Sequence, residues 1–189
     1  MSFSSLLIAS LAIGPPALSG DAPRTDPPKV GETAPDFTLP ELGEEKPTTL
    51  SKVTADGPVV LLVLRGYPGY QCPICTRQVG AYLQRADAFK EAGARVILIY
   101  PGPEENLKTF AAEFAEELEL PEGFTFLMDP GYVFTNAYQL RWDAPRETAY
   151  PSAFVLDPKR KVAFAKVSKQ HGGRVKPQEA LSALQSMKN

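Results

Sequence analysis

From Pro58 onward, short apolar runs rich in β-branched residues alternate with longer segments whose apolar positions recur at helical spacing. A sheet with crossover helices requires this pattern. Val59 to Leu64 predicts a buried strand. Cys75 to Glu91 carries Val79, Leu83, Ala86 and Phe89 on one helical face, and Ala92-Gly93 supplies the stop. Val96 to Tyr100 predicts a second buried strand, closed by Pro101. Between Glu104 and Leu118, Leu107, Phe110, Ala111 and Phe114 share a face opposite acidic residues, the signature of a surface helix. Phe124 to Met128 reads as a third strand, Tyr132 to Tyr138 as a short helix, and Pro177 to Met187 as a closing helix. Ala153 to Leu156 and Val162 to Val167 form an antiparallel pair around Asp157-Pro158. The order β-α-β-α-β-α-β-β-α is that of an α/β domain.

The first thirty residues break the pattern. Leu6 to Ile13 is a short apolar run followed by Pro15, Pro16 and the small residues Ala17-Leu18-Ser19-Gly20, which reads as a secretory signal over 1–19, although no Lys or Arg precedes Arg24. The run is too short for a stable membrane anchor. Residues 20–30, with Pro23, Pro27 and Pro28, read as a flexible linker, and the folded domain is expected over 31–189. A chain of 189 residues with 43% hydrophobic content suits one domain. The net charge of −2 supplies no basic field, so composition argues against a nucleic-acid partner.

The two cysteines lie three apart and cannot staple distant parts of a fold. With one histidine, His171, they cannot complete a structural zinc set, so no metal and no other cofactor is expected. His171 itself sits in a Gly-rich His-Gly-Gly-Arg stretch and reads as a turn residue. In LLVLRGYPGYQCPICTRQV a buried strand leads through a Gly/Pro loop into a helix, with Cys72 and Cys75 at the helix start. Unpaired N–H groups and the positive end of the helix dipole there favour thiolate, the nucleophilic form. Pro73 suits the first helical turn, where its missing N–H does no harm. Two cysteines in one turn can also close a disulfide without rebuilding the backbone.

In this context the chain resembles the thioredoxin superfamily, and within it the peroxiredoxins, the alkyl hydroperoxide reductase and thiol-specific antioxidant family. GETAPDFTLPEL resembles that family's N-terminal hairpin, LMDPGYVFTNAYQL its Asp-Pro segment and short helix, and VSKQHGGRVKPQEALSAL its last turn and closing helix. The resemblance implies a thioredoxin-like fold, a central mixed sheet flanked by helices. The family's Pro-x-x-x-Thr/Ser-x-x-Cys pattern is met by Pro68-Gly-Tyr-Gln-Cys72-Pro-Ile-Cys75, with Cys72 replacing the hydroxyl residue. This register implies that Cys75 is the peroxidatic cysteine, whereas the thioredoxin register of Cys-x-x-Cys assigns the attack to Cys72. Peroxiredoxins also carry an Arg just before the late strand, where this chain has Tyr150-Pro151-Ser152; Pro151 resembles the thioredoxin cis-proline and is expected cis. Arg65 is the preferred substitute for the missing Arg, ahead of Arg141 and Arg146, and Tyr67 and Tyr70 are candidate walls of the site.

Two mechanisms follow. In the favoured one, the Cys75 thiolate reduces a hydroperoxide and becomes a sulfenic acid, Cys72 condenses with it to a redox-active disulfide, Pro68 shields the sulfur, and an external thioredoxin-like dithiol resets the pair. In the other, Cys72 attacks a protein disulfide, Cys75 resolves the mixed disulfide and Pro151 holds the partner chain. A third reading, from another class, is a non-catalytic redox-sensing binding module.

Overall fold

The structure, a computed structural model, describes residues 24–44 and 46–188. The signal expected over 1–19 and the start of the linker therefore lie outside the described residues. Residues 24–30 form no helix or strand, and Arg24 pairs with Glu32 while Lys29 pairs with Asp26 at 3.0 Å. From Gly31 the chain is tied to the sheet, because the Gly31 N–H donates to the Val162 carbonyl at 2.8 Å.

A short antiparallel hairpin, β1 (Thr38–Leu39) with β2 (Thr48–Thr49), leads into α1 (Leu50–Ala55), a helix that the hydrophobic pattern did not announce. Then follow β3 (Val59–Val63), α2 (Pro73–Leu83), α3 (Ala86–Glu91), β4 (Arg95–Gly102), α4 (Leu107–Ala115) and β5 (Phe124–Pro130). The chain ends with α5 (Val133–Ala137), β6 (Ser152–Leu156), β7 (Val162–Val167) and α6 (Pro177–Ser186). The main sheet has the order β5-β4-β3-β6-β7, with β3, β4 and β5 parallel and β6 and β7 antiparallel. It is the expected α/β mixed sheet, flanked by helices.

β3 shows why. All five residues of VVLLV are buried, since the strand is paired on both sides and covered on both faces. Val60, Leu62 and Leu64 join Val79, Tyr82 and Phe89 and the inner faces of α4 and α6 in one core, while Val59, Leu61 and Val63 join Phe37, Leu50, Phe134 and Tyr138 in the other. Full burial of each such aliphatic side chain contributes about 1.5–3 kcal/mol relative to exposure, so β3 is pinned in register.

Two elements differ from the periodicity. The helix expected over Cys75 to Glu91 begins at Pro73 and breaks at Gln84–Arg85, where Arg85 leaves helical geometry. The break brings the Tyr82 and Phe89 rings into a parallel stack at 5.5 Å, a tertiary contact invisible to a helical period. β4 also runs through Pro101 to Gly102 instead of stopping before it. Because β3 ends opposite Ile99, β4 is thereafter paired with β5 alone, and a proline without an N–H is tolerated there.

The loop after β3 stays against β4: the Leu64 N–H donates to Ile99 O at 2.9 Å and the Tyr67 N–H to Pro101 O at 3.2 Å. Between them Gly66 has φ +73°, and a Cβ there would stand 1.7 Å from the Pro101 carbonyl oxygen. No side chain fits without moving the loop. Gly66→Ala is expected to lower unfolding free energy by more than about 3 kcal/mol, combining left-handed strain with the backbone clash; urea denaturation of the variant beside the wild type checks it.

Candidate active site

The strand-loop-helix unit places Cys72 as the N-cap of α2, with extended backbone (φ −89°, ψ 104°), Pro73 at the first helical position and Cys75 in the first turn. Both are free thiols. The Cys75 N–H donates to the Cys72 sulfur at 3.3 Å, so the sulfur takes the place that a Ser or Asp oxygen fills in an ordinary cap. An anion is favoured at that point by the helix N-terminus.

The two sulfurs differ sharply. Hydrogen bonding from the Cys75 thiol, then from its backbone N–H, together with the charges of Arg174 and Arg65, outweighs burial and pulls the Cys72 thiol down to about 5 from an ordinary value near 9. Cys75 has no exposed surface, and burial followed by the hydrogen bond it gives to Cys72 pushes its thiol well above the ordinary value. These surroundings favour the thiolate on Cys72 and the protonated thiol on Cys75. Cys72 keeps 3% of its surface exposed.

Arg65 is buried at the exit of β3, and its fork is spent on its neighbours. Nε donates to Glu147 Oε2 at 2.5 Å, one terminal nitrogen to the Tyr70 hydroxyl at 2.5 Å and the other to the Arg146 carbonyl at 2.7 Å. Its charge reaches Cys72, but its hydrogen bonds do not. Burial raises the Glu147 carboxyl, yet the bonds from Arg65 and His171 outweigh it and hold the group below the usual carboxylate range. Glu147 thus accepts from the active-site loop through Arg65 and contacts His171 Nε2 at 2.9 Å with its other oxygen.

Arg174 is the residue that sequence reasoning missed. One of its terminal nitrogens lies 3.7 Å from the Cys72 sulfur, the other donates to Gln78 Oε1 at 2.9 Å, and Nε donates to the His171 carbonyl at 3.0 Å. The Gly-rich turn that looked like mere punctuation carries a cation to a sulfur 102 residues earlier. The visible signal was an Arg closing a His-Gly-Gly turn, without any hint of where that turn packs. Gln71 was missed too: it accepts from the buried Tyr100 hydroxyl at 2.7 Å and donates to Phe110 O at 2.9 Å, fastening the loop just before Cys72.

The remaining candidates fall around this centre. Tyr67 stacks on Phe110 with ring centroids 3.6 Å apart, and Tyr70, 44% exposed, stands over the Arg65 guanidinium at the mouth of the site. Pro68 is half-buried in the loop. Arg141 bonds the Trp142, Glu147 and Thr148 carbonyls and lies over the Tyr132 ring, away from the sulfurs. Arg146 contributes its carbonyl. Among the described residues no group of three His, Cys, Asp or Glu is placed to hold a metal ion, and no helix is long and apolar enough to cross a membrane.

Comparison with known proteins adds the lineage. The family described as AhpC/TSA matches residues 30–165. The chain belongs to the AhpC/TSA family. Its chemistry is that of a thiol-based oxidoreductase of the peroxidase class. Peroxiredoxin Q of Sedum lineare, named as chloroplastic, is 34% identical over 162 residues, covering 84% of this chain and 78% of that protein. The Arabidopsis thaliana peroxiredoxin Q is 36% identical over 131 residues, covering 67% of this chain and 54% of its own length. Among solved structures, peroxidoxin BcpB from Mycobacterium tuberculosis superimposes with a TM-score of 0.65 at 25% identity, covering 86% of this chain and 99% of that one.

Within this AhpC/TSA chain the late-strand position departs from expectation. Pro151 was expected cis, but no cis peptide bond occurs among the described residues. The reason is local: Pro151 immediately precedes β6, its carbonyl accepts from the Ser168 N–H at 2.9 Å, and trans extended backbone carries the chain directly into the ladder. The prediction that follows concerns charge. Because the Cys72 thiol is ionised above about pH 5, alkylation of the reduced protein is expected to rise as pH climbs through 5 and to be flat by pH 7, where an ordinary thiol is still mostly protonated. Iodoacetamide rates with peptide mapping across pH 4–9 check it, with the label on Cys72 and Cys75 silent.

Proposed function

We propose that this chain reduces hydroperoxides through the Cys72–Cys75 pair, with Cys72 as the attacking thiolate and Cys75 as the resolving thiol. The family register assigns these roles the other way round, with Cys75 in the peroxidatic position. The observation that supports the exchanged roles is the placement of the two sulfurs: Cys72 caps the helix beside Arg174, whereas Cys75 is fully buried, which favours its protonated form. After attack Cys72 becomes a sulfenic acid, and the Cys75 sulfur one helical turn away condenses with it to a disulfide, releasing water. An external dithiol of thioredoxin type then restores the thiols.

A small exposed patch on Cys72 supports a small substrate. A residue that is 3% exposed leaves more room for a hydroperoxide than for a protein disulfide. Disulfide exchange through Cys72 is the second reading, favoured by the N-cap position, which suits attack on a disulfide equally well.

Stopped-flow mixing of the reduced protein with hydrogen peroxide decides between them. Cys75→Ser is expected to react at close to the wild-type rate and to trap a sulfenic acid on Cys72, while Cys72→Ser loses at least about tenfold in rate, as removal of the ionised nucleophile requires. A sulfenic acid trapped on Cys75 in Cys72→Ser at the wild-type rate restores the family roles. A wild type no faster than free cysteine, with rapid exchange against a protein disulfide, establishes the second reading.

We also propose that the apolar leader Leu6–Ile13 directs the chain out of the cytoplasm. The relatives of Sedum lineare and Arabidopsis thaliana are named as chloroplastic, so they too bear a targeting address. The N-terminal residue of the protein recovered from its own cells is expected to lie near Gly20, and an uncut Met1 or a cytoplasmic location overturns this.

A further inference from the structure

The pattern resembled by this family leaves the site one cation short, because Pro151 stands where the Arg before the late strand is expected. The structure supplies a cation from elsewhere. We propose that Arg174, delivered by the His171-Gly172-Gly173-Arg174 turn, is the catalytic arginine of this site, binding the Cys72 thiolate and the oxygens of the hydroperoxide. This rests on the reading that Cys72 attacks.

The guanidinium is fixed at three points. Nε donates to the carbonyl of its own turn at His171, one terminal nitrogen donates to Gln78 on α2, and the other faces the Cys72 sulfur at 3.7 Å. Gln78 is itself anchored, its amide donating to Val175 O at 3.1 Å. Those contacts use three of the five N–H donors of an arginine, so two remain for the peroxide. Among the described residues no carboxylate forms an ion pair with Arg174, so its charge is not spent elsewhere. Arg65 presents the contrast, since its fork is committed to Glu147, Tyr70 and Arg146.

The turn is held as firmly as the guanidinium. Glu147 takes Arg65 on one oxygen and His171 on the other, so a single carboxylate ties the loop after β3 to the turn before α6. Ser168 donates towards Gln170 O at 2.9 Å and bonds the Gly172 carbonyl, and Gly173 has φ +70° with Ser168 Oγ only 3.2 Å from where a Cβ would stand. His171 also packs against Trp142 at 5.1 Å. The groups that face Cys72 are therefore Arg174 from this turn, Cys75 from α2, Arg65 from the loop and Tyr100 from β4.

The chemistry balances with these parts. The Cys72 thiolate attacks the terminal oxygen of ROOH, an S–O bond forms as the O–O bond breaks, and the electron pair leaves on the alkoxide. Sulfur is oxidised by two electrons to the sulfenic acid, the peroxide is reduced, and the alkoxide takes a proton from water to leave as ROH. Negative charge moves from sulfur to oxygen during this step, and a forked cation with spare donors follows it where a point charge does not.

The test uses the reduced full-length wild type, Arg174→Met and Arg174→Lys, each checked for unchanged far-UV circular dichroism. Two quantities are read: the pH midpoint of Cys72 alkylation by iodoacetamide, and the second-order rate with hydrogen peroxide at pH 7. Losing a cation at this distance raises a thiol pKa by about one unit, so Arg174→Met is expected to alkylate about fivefold more slowly at pH 5 and to match the wild type above pH 8. Arg174→Lys is expected to keep most of the midpoint but to react with peroxide about tenfold more slowly, since the fork is gone. An unmoved midpoint and unmoved peroxide rate in Arg174→Met overturn the assignment. A wild type indifferent to peroxide whose midpoint still moves in Arg174→Met overturns the peroxidase reading and upholds Arg174 as the cation of the thiolate.

Discussion

The central strand β3 is hydrogen-bonded on both sides and buried on both faces, and its end is the constraint from which the site is built. A strand held this way cannot slip by one residue without turning its whole core face outward. Arg65 and Gly66 consequently leave the sheet at one place only. Gly66 then runs so close to Pro101 that a side chain is excluded, and the loop is held down until Gln71, fastened by Tyr100 and Phe110, hands the chain to Cys72 at the start of α2. The sulfur stands where a rigid sheet puts it.

What that position does to two chemically identical residues is a matter of burial and of who donates to whom. Cys72 receives the Cys75 N–H and thiol hydrogen bonds and faces two guanidinium charges, so its anion is the stable form. Cys75 gives its hydrogen and is wholly enclosed, so its neutral form is the stable one. The single turn of helix separating them creates a donor and an acceptor from one residue type. This division resembles the Cys-x-x-Cys arrangement of thioredoxins, set on the frame of an AhpC/TSA family member. With Cys72 where the family pattern has a hydroxyl residue, the site has a second sulfur one helical turn from Cys75.

Glu147 is the second organising feature. A carboxylate whose side chain is only 10% exposed is costly unless it is paired, and here both oxygens are engaged, by Arg65 and by His171. The pairing joins the loop after β3 to the turn after β7, segments far apart in sequence. Arg65, at the exit of β3, is a strut; Arg174, far along the chain, makes the contact.

The amino-acid sequence by itself determined the class of the fold and pointed to Cys72 and Cys75 as the candidate reactive pair. Apolar runs at strand length, helical spacing between them and a Cys-Pro-Ile-Cys opening a helix are local patterns, and local patterns are legible because neighbours in sequence are neighbours in space. The hairpin at Thr38–Thr49 and the Asp129 segment were legible through resemblance. The tertiary structure alone decided the rest: the break at Arg85, the extension of β4 through Pro101, the trans Pro151 and the union of Arg65, Glu147, His171 and Arg174 around Cys72. Each of these depends on which distant surfaces are pressed together. The proton is assigned to Cys75 and the charge to Cys72 for the same reason, because burial and the approach of a remote guanidinium are properties of the packed molecule that no spacing of residues along a chain encodes.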